Sequence, residues 1–218
     1  KAMVERITLE GRRATGVRWK DRSGLHTAKA RREIILSGGT FNSPQLLQIS
    51  GIGPAALLRK HGIEVQHDLP GVGENLQDHF GIGAEYRSTV KSTVNDLYNN
   101  KIKGGLQLLR HLIFRTGPFA DNGNYSNPFI CSGPEIDRPD MMVTFMAWCT
   151  DEQLKPHPFS GFTILAEHMR PNSRGHVRIS GPAPTDQPEI QFNFFADKAD
   201  QRAAIAGLQF GRKIAATK

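Results

Sequence analysis

The stretch EIILSGGTFNSPQLLQISGIGP, residues 33–54, decides how the chain is read. Three apolar residues, Ile34, Ile35 and Leu36, run into a Gly-Gly pair, which predicts a buried strand delivering its carboxyl end to a crevice. Ligands of open α/β sheets sit at such carboxyl ends. Glycines there let the backbone approach a ligand or take a positive φ. Ser43-Pro44 then predicts the first turn of a short helix, because proline is comfortable there. Leu46 and Leu47 would bury one face of it. Ser50-Gly51 reads as its stop and a chain reversal.

Working outward, residues 4–9, 14–19 and 25–36 are separated by the turn-like EGRR and DRSG and predict a β-meander. A second helix is expected from Pro54 to Lys60, stopped by His61-Gly62. DLPGVGENLQDH, 68–79, is rich in turn formers. Beyond it the sequence predicts a strand near 82–90, a helix over GGLQLLRHLIFRTG and strands at 141–148, 161–169, 175–179 and 189–194. A closing helix is expected over 197–216, capped by Asp197. The fold class is therefore α/β to α+β: an α/β part to about residue 85, then a mostly antiparallel sheet with packed helices.

The whole composition is that of a globular chain. Its 218 residues are 38% hydrophobic and 22% charged, with a formal charge of +7. No apolar run approaches the roughly 20 residues of a membrane helix. The basic stretch at 10–33 carries one aromatic residue, Trp19, so the charge reads as a solvated surface and no nucleic-acid partner is expected. Cys131 and Cys149 lack metal-ligand spacing and are expected as reduced thiols of a cytoplasmic protein. His168 and His176 flank a turn and read as packed or surface histidines. No GxGxxG fingerprint, P-loop or G-x-S-x-G elbow occurs. Composition and spacing alone reach no reaction.

Four segments in register carry a resemblance. SGGTFNSPQLLQISGIGP is similar to the second signature of the glucose–methanol–choline (GMC) family of flavin oxidoreductases. VERITLEGRRATGVRW before it, GIEVQHDLPGVGENLQDH after it and NSRGHVRISGPAPTDQPEIQFNFF near the end resemble that family in the same order. The match is weakest between about 88 and 138. It implies a partial FAD-binding domain over 1–85 and a substrate domain over 86–218. The activity implied is oxidation of an alcohol carbon by hydride transfer to FAD, with the electron acceptor open. An oxidase of the same family and a catalytically silent binding module are the alternatives.

By the same resemblance Ser37, Gly38 and Gly39 pass beside the dinucleotide, and the backbone of Val4 meets the adenine ring. Val4 also reads as an ordinary strand residue. Family members commonly carry alanine where Gly38 stands. The family's histidine base and its N-terminal glycine fingerprint lie in segments this sequence does not contain, so no catalytic residue is assigned and the piece alone is expected to be inactive. His79 either lines the active site or fixes its own loop. Asn122 and Asn124 face the substrate or form a solvated turn. Choline-oxidising members carry an acidic residue where Gly81 stands, so a neutral primary or secondary alcohol is the expected substrate.

Overall fold

In a computed structural model, which describes residues 2–121 and 123–217, the chain forms two compact units. The first comprises Lys1–Asp78 and Ser173–Phe194, the second His79–Asn172 and Phe195–Lys218. The division differs from a linear boundary near residue 85, because a late segment returns to the first unit.

The chain begins with the expected meander. Strands β1 (Met3–Glu10), β2 (Arg13–Asp21) and β3 (Gly24–Lys29) pair antiparallel in sequence order. The strand expected at 34–36 is absent. These residues take no regular secondary structure and have no ladder partner among the described residues, and Ile35 is 78% exposed. An extended segment needs a neighbour for its backbone donors and acceptors, and apolar content alone does not supply one. Helix α1 (Gly39–Ile49) starts four residues before the expected Ser43 and carries Pro44 inside it. The proline ring removes the one backbone bond that would reach Thr40, close to the helix start.

A two-residue strand β4 (Ile52–Gly53) precedes α2 (Ala55–Lys60), which stops at His61 and Gly62 as expected, with Gly62 at φ 68. β4 pairs parallel with β5 (His67–Asp68), and β6 (Glu74–Leu76) follows. Ile49, Leu58, Ile63 and Ile179 form the core of this unit.

The second unit is built on a five-stranded sheet. It holds β7 (Phe80–Arg87), β8 (Asn124–Ser126), β9 (Phe129–Ile130), β10 (Met141–Met146) and β11 (Gly161–His168), with β11 between β7 and β10. Between β7 and β8 lie α3 (Val94–Asn99), α4 (Lys101–Phe114) and a single helical turn at Pro118–Ala120. Chain residues 173–194 then supply β12 (Gly175–Arg178) and β13 (Glu189–Gln191) to the first unit, where they make a sheet in the order β13-β12-β6. The closing helix α5 (Lys198–Ala215) is capped by Asp197, which accepts from the Ala199 N–H at 2.6 Å.

α5 covers one face of the five-stranded sheet. Met141, Val143, Ile164, Ala166 and Ala203 form the core there. His168 is packed into the same face, 3.7 Å from Asp140 and 3.5 Å from Asp200, with its ring edge-on to Phe80. Both cysteines are free: Cys131 is exposed, and Cys149 is buried, with burial pushing its thiol pKa up.

Candidate flavin-side site and its relatives

In the first unit, three of the expected residues open onto one cavity. Val4, Ser37 and Gly38 line a space of about 600 Å³ together with the apolar side chains of Val17, Ile34 and Leu46. The unpaired stretch 34–36 forms one wall, so its apolar residues face a cavity where a buried strand was expected. Val4 sits opposite Trp19 in the β1–β2 ladder, and the register slips between Val4 and Arg6. Such a bulge re-aims the backbone of the strand that carries it.

Gly38 and Gly39 make a second, smaller cavity of about 280 Å³ with Phe41, Leu76, Asp78 and Phe192. Gly39 has φ 80, and a Cβ placed on it would meet nothing within 4 Å. Its glycine is therefore demanded by the backbone angle, which L side chains avoid, and the space beyond it stays open. Gly38 differs. A Cβ there would lie 3.2 Å from Asn42 Cβ and 3.3 Å from Ser43 Oγ. Its N–H already donates to Ser43 Oγ at 3.1 Å.

The helix behind these glycines is anchored by a residue that sequence reasoning passed over. Gln48 is fully buried, and its Nε2 donates to the Val72 carbonyl at 3.1 Å and the Val177 carbonyl at 3.0 Å. Its Oε1 accepts from the Ile179 N–H at 2.9 Å. A buried amide with three backbone partners ties α1 to β12 and to the turn before β6. Gly73 permits this closeness: with φ 86, any Cβ there would collide with the Val177 carbonyl and the Gln48 amide. A glutamine inside an otherwise apolar helical stripe was the available signal. Gln45 does similar service, donating to the Asp186 carbonyl at 2.7 Å.

The remaining expected residues belong to the second unit or its border. His79 is exposed just before β7, and Gly81 lies in β7 on the face away from Phe80. Asn124 is half-buried in β8, paired with Met146. Asn122 lies outside the described residues. The structure thus gathers Val4, Ser37 and Gly38 on one cavity and Gly38 and Gly39 on another. Gly81 and Asn124 stand on separate strands of the five-stranded sheet.

Gly81 has a specific neighbour. It pairs directly with Glu167 of β11, so a carboxylate stands across the ladder from the position that carries no side chain. Glu85, further along β7, is engaged elsewhere: it accepts from the Thr150 N–H at 3.0 Å and lies 3.2 Å from His157 Nε2.

Models of the GMC oxidoreductase family match the chain twice, its N-terminal part over residues 1–81 and its C-terminal part over residues 171–218. The chain belongs to the GMC oxidoreductase family. An oxygen-dependent choline dehydrogenase of Staphylococcus aureus is 36% identical over 220 residues, covering all of this chain and 38% of that protein. The chain therefore spans well under half the length of the curated relatives it matches. Among solved structures, formate oxidase of Aspergillus oryzae, studied for modification of its FAD, superposes with a TM-score of 0.86 at 26% identity, over 98% of this chain and 42% of the oxidase. Pyridoxine 4-oxidase from Mesorbium loti gives 0.81 at 25% identity, over 100% and 39%. The expected family and mixed α/β fold are borne out, and FAD is the cofactor that goes with them. Among the described residues no helix is long and apolar enough to cross a membrane.

Proposed function

We propose that this chain is the central part of an FAD-dependent enzyme that oxidises the CH–OH group of a neutral primary or secondary alcohol. The carrying observation is the cavity of about 600 Å³ shared by Val4, Ser37 and Gly38, beside a chain turn at Gly39 whose positive φ leaves the backbone open. A space of that size with an apolar wall and a few polar groups suits part of a dinucleotide. Val4, Ser37, Gly38 and Gly39 would hold it.

FAD, when bound, supplies the hydride acceptor. This chain's own contribution is to bind and to shape: an apolar wall from Ile34 and Val17, a glycine turn that keeps side chains out, and an α1 fixed by Gln48. The Gly38 N–H is taken by Ser43, and the N–H groups of the first turn of α1, which have no acceptor within the helix, would meet ribose or phosphate oxygens. No residue of this chain is assigned to the chemical step.

Glu167 favours a second reading, an alcohol bearing a positive charge, since it places a carboxylate beside Gly81. Relatives named as choline dehydrogenases point the same way. The neutral reading rests on Gly81 itself. Anaerobic mixing of the full-length protein with a panel of alcohols, followed by flavin absorbance, tests both. Bleaching by neutral alcohols at higher kcat/KM than by choline supports the first reading. The reverse order supports the second, and no bleaching by any alcohol overturns both. Oxygen uptake in the same assay separates an oxidase from a dehydrogenase.

A further inference from the structure

Helix α4 is amphipathic the wrong way round. Its inward residues are Gly104, Gln107 and His111, the least exposed positions of the helix. The apolar residues point outward: Ile102 is 77% exposed and Ile113 61%, and Leu106, Leu108, Leu109 and Leu112 are each about half exposed or more. At 100° per residue these six fall within a single broad arc. A helix of a soluble domain normally turns such an arc to its core. Gly104 shows that the inward orientation is fixed, since a Cβ there would press on the Leu97 carbonyl of α3 at 2.7 Å.

The charge along this stretch of sequence is of one sign. Lys101, Lys103, Arg110 and Arg115 lie on or beside the helix, and no Asp or Glu occurs between Asp96 and Asp121. Tyr98, one turn before α4, is 66% exposed. A tyrosine pairs an apolar ring with a polar tip and suits a membrane–water boundary. The helix has 14 residues, about 21 Å long, and does not qualify as a span. Apolar residues on one side with flanking cations describe a helix that lies in the plane of a bilayer surface.

We propose that α4 docks the enzyme on an anionic lipid surface, its Leu and Ile side chains entering the acyl boundary and its Lys and Arg side chains meeting lipid phosphates. This inference does not depend on the substrate reading. Cations at such a surface add to the partition by attraction to anionic headgroups, within a Debye length of about 8 Å at physiological salt.

The test is flotation of the full-length flavoprotein with vesicles of phosphatidylcholine alone or mixed with phosphatidylglycerol. Two variants accompany it: Leu109→Glu with Ile113→Glu, and Lys101→Gln with Lys103→Gln and Arg110→Gln. All altered side chains are exposed, and flavin content with thermal melting confirms that each variant is folded. The expected result is binding to the anionic vesicles that weakens with salt. The lysine and arginine changes should weaken it by about fivefold per cation removed, and the paired glutamates should abolish it. Absence of binding by the folded wild type overturns the proposal, as does binding that the paired glutamates leave unchanged. It is also overturned if the wild type is a dimer that the glutamates split, or if hydrogen exchange finds α4 covered by the protein's own chain.

Discussion

Glu167 of β11 stands directly opposite Gly81 of β7, and a Cβ built on Gly81 would come within 3.1 Å of the Glu167 Cγ. Opposed residues in an antiparallel ladder share one face of the sheet. The space left by the missing side chain at 81 is taken up by Leu165, whose Cδ1 would lie 2.8 Å from that Cβ, with the glutamate beside it. Replacing Glu167 by Gln in the full-length enzyme should cost an ammonium alcohol such as choline about tenfold in kcat/KM, or about 1.4 kcal/mol. Neutral alcohols should change by less than about twofold. An equal loss for both classes would show that Glu167 supports the sheet and leaves substrate charge unread.

Gly39 combines φ 80 with open space around its missing Cβ. Gly39→Val meets no wall, so its effects are confined to backbone strain and to whatever occupies the open side. The left-handed conformation costs an L residue about 1–2 kcal/mol. The melting temperature should fall by a few degrees, whereas bound FAD per chain, read from the visible absorbance of the purified full-length protein, should drop severalfold. Full flavin occupancy would reduce Gly39 to a turn residue.

Gln48→Leu preserves volume and removes the three hydrogen bonds to Val72, Val177 and Ile179. Each buried backbone group left without a partner costs about 1–3 kcal/mol. Chemical denaturation should report a loss of about 3 kcal/mol or more. A loss below about 1 kcal/mol would mean that water replaces the amide there.

Asp96 closes a capping box at the start of α3. It accepts from the Thr93 N–H at 2.9 Å and the Thr93 hydroxyl at 3.0 Å, and from Ser160 Oγ at 2.5 Å. Burial pushes its pKa up, but the hydrogen bonds from Ser160 and Thr93 and the Lys91 charge outweigh it, so the carboxyl titrates below its ordinary range. The sign follows from linkage. A lowered folded-state pKa gives stability that is fully present above the unfolded value of about 3.9 and is lost as pH falls through the folded value. Asp96→Ala should therefore cost about 1 kcal/mol at pH 7, and the gap to wild type should narrow below pH of about 4. A gap that stays constant down to pH of about 2 would assign the loss to packing.

Local signals carried far in this chain. The meander, α2 with its Gly62 stop and α5 with its Asp197 cap follow from turn residues and periodicity that lie within a few positions of each other. What failed was non-local. Ile34, Ile35 and Leu36 have the composition of a buried strand, but a strand exists only where a neighbour pairs with it, and periodicity does not report neighbours. α1 begins before Ser43 because the positive φ of Gly39 opens it, which no hydrophobic count registers. Of the cavity-lining residues, Val4 and Ser37 meet across more than 30 positions of sequence, so only the resemblance to a family could group them. The outward arc of α4 was invisible for a related reason: leucine spacing predicts a helix but does not tell which way it faces.

The return of β12 to pair with β6 has a topological consequence. Gly175 lies opposite Leu76, and Arg174 Nε donates to Asn75 Oδ1 at 2.9 Å. The chain thus departs after residue 78 and comes back at 173 along adjoining rungs of one ladder, and the segment between builds the second unit together with residues 195–218. Loops of any length closed by such a clasp add entropy only logarithmically. Changes of length in the exposed connections within residues 79–172 are therefore expected to disturb the clasp little.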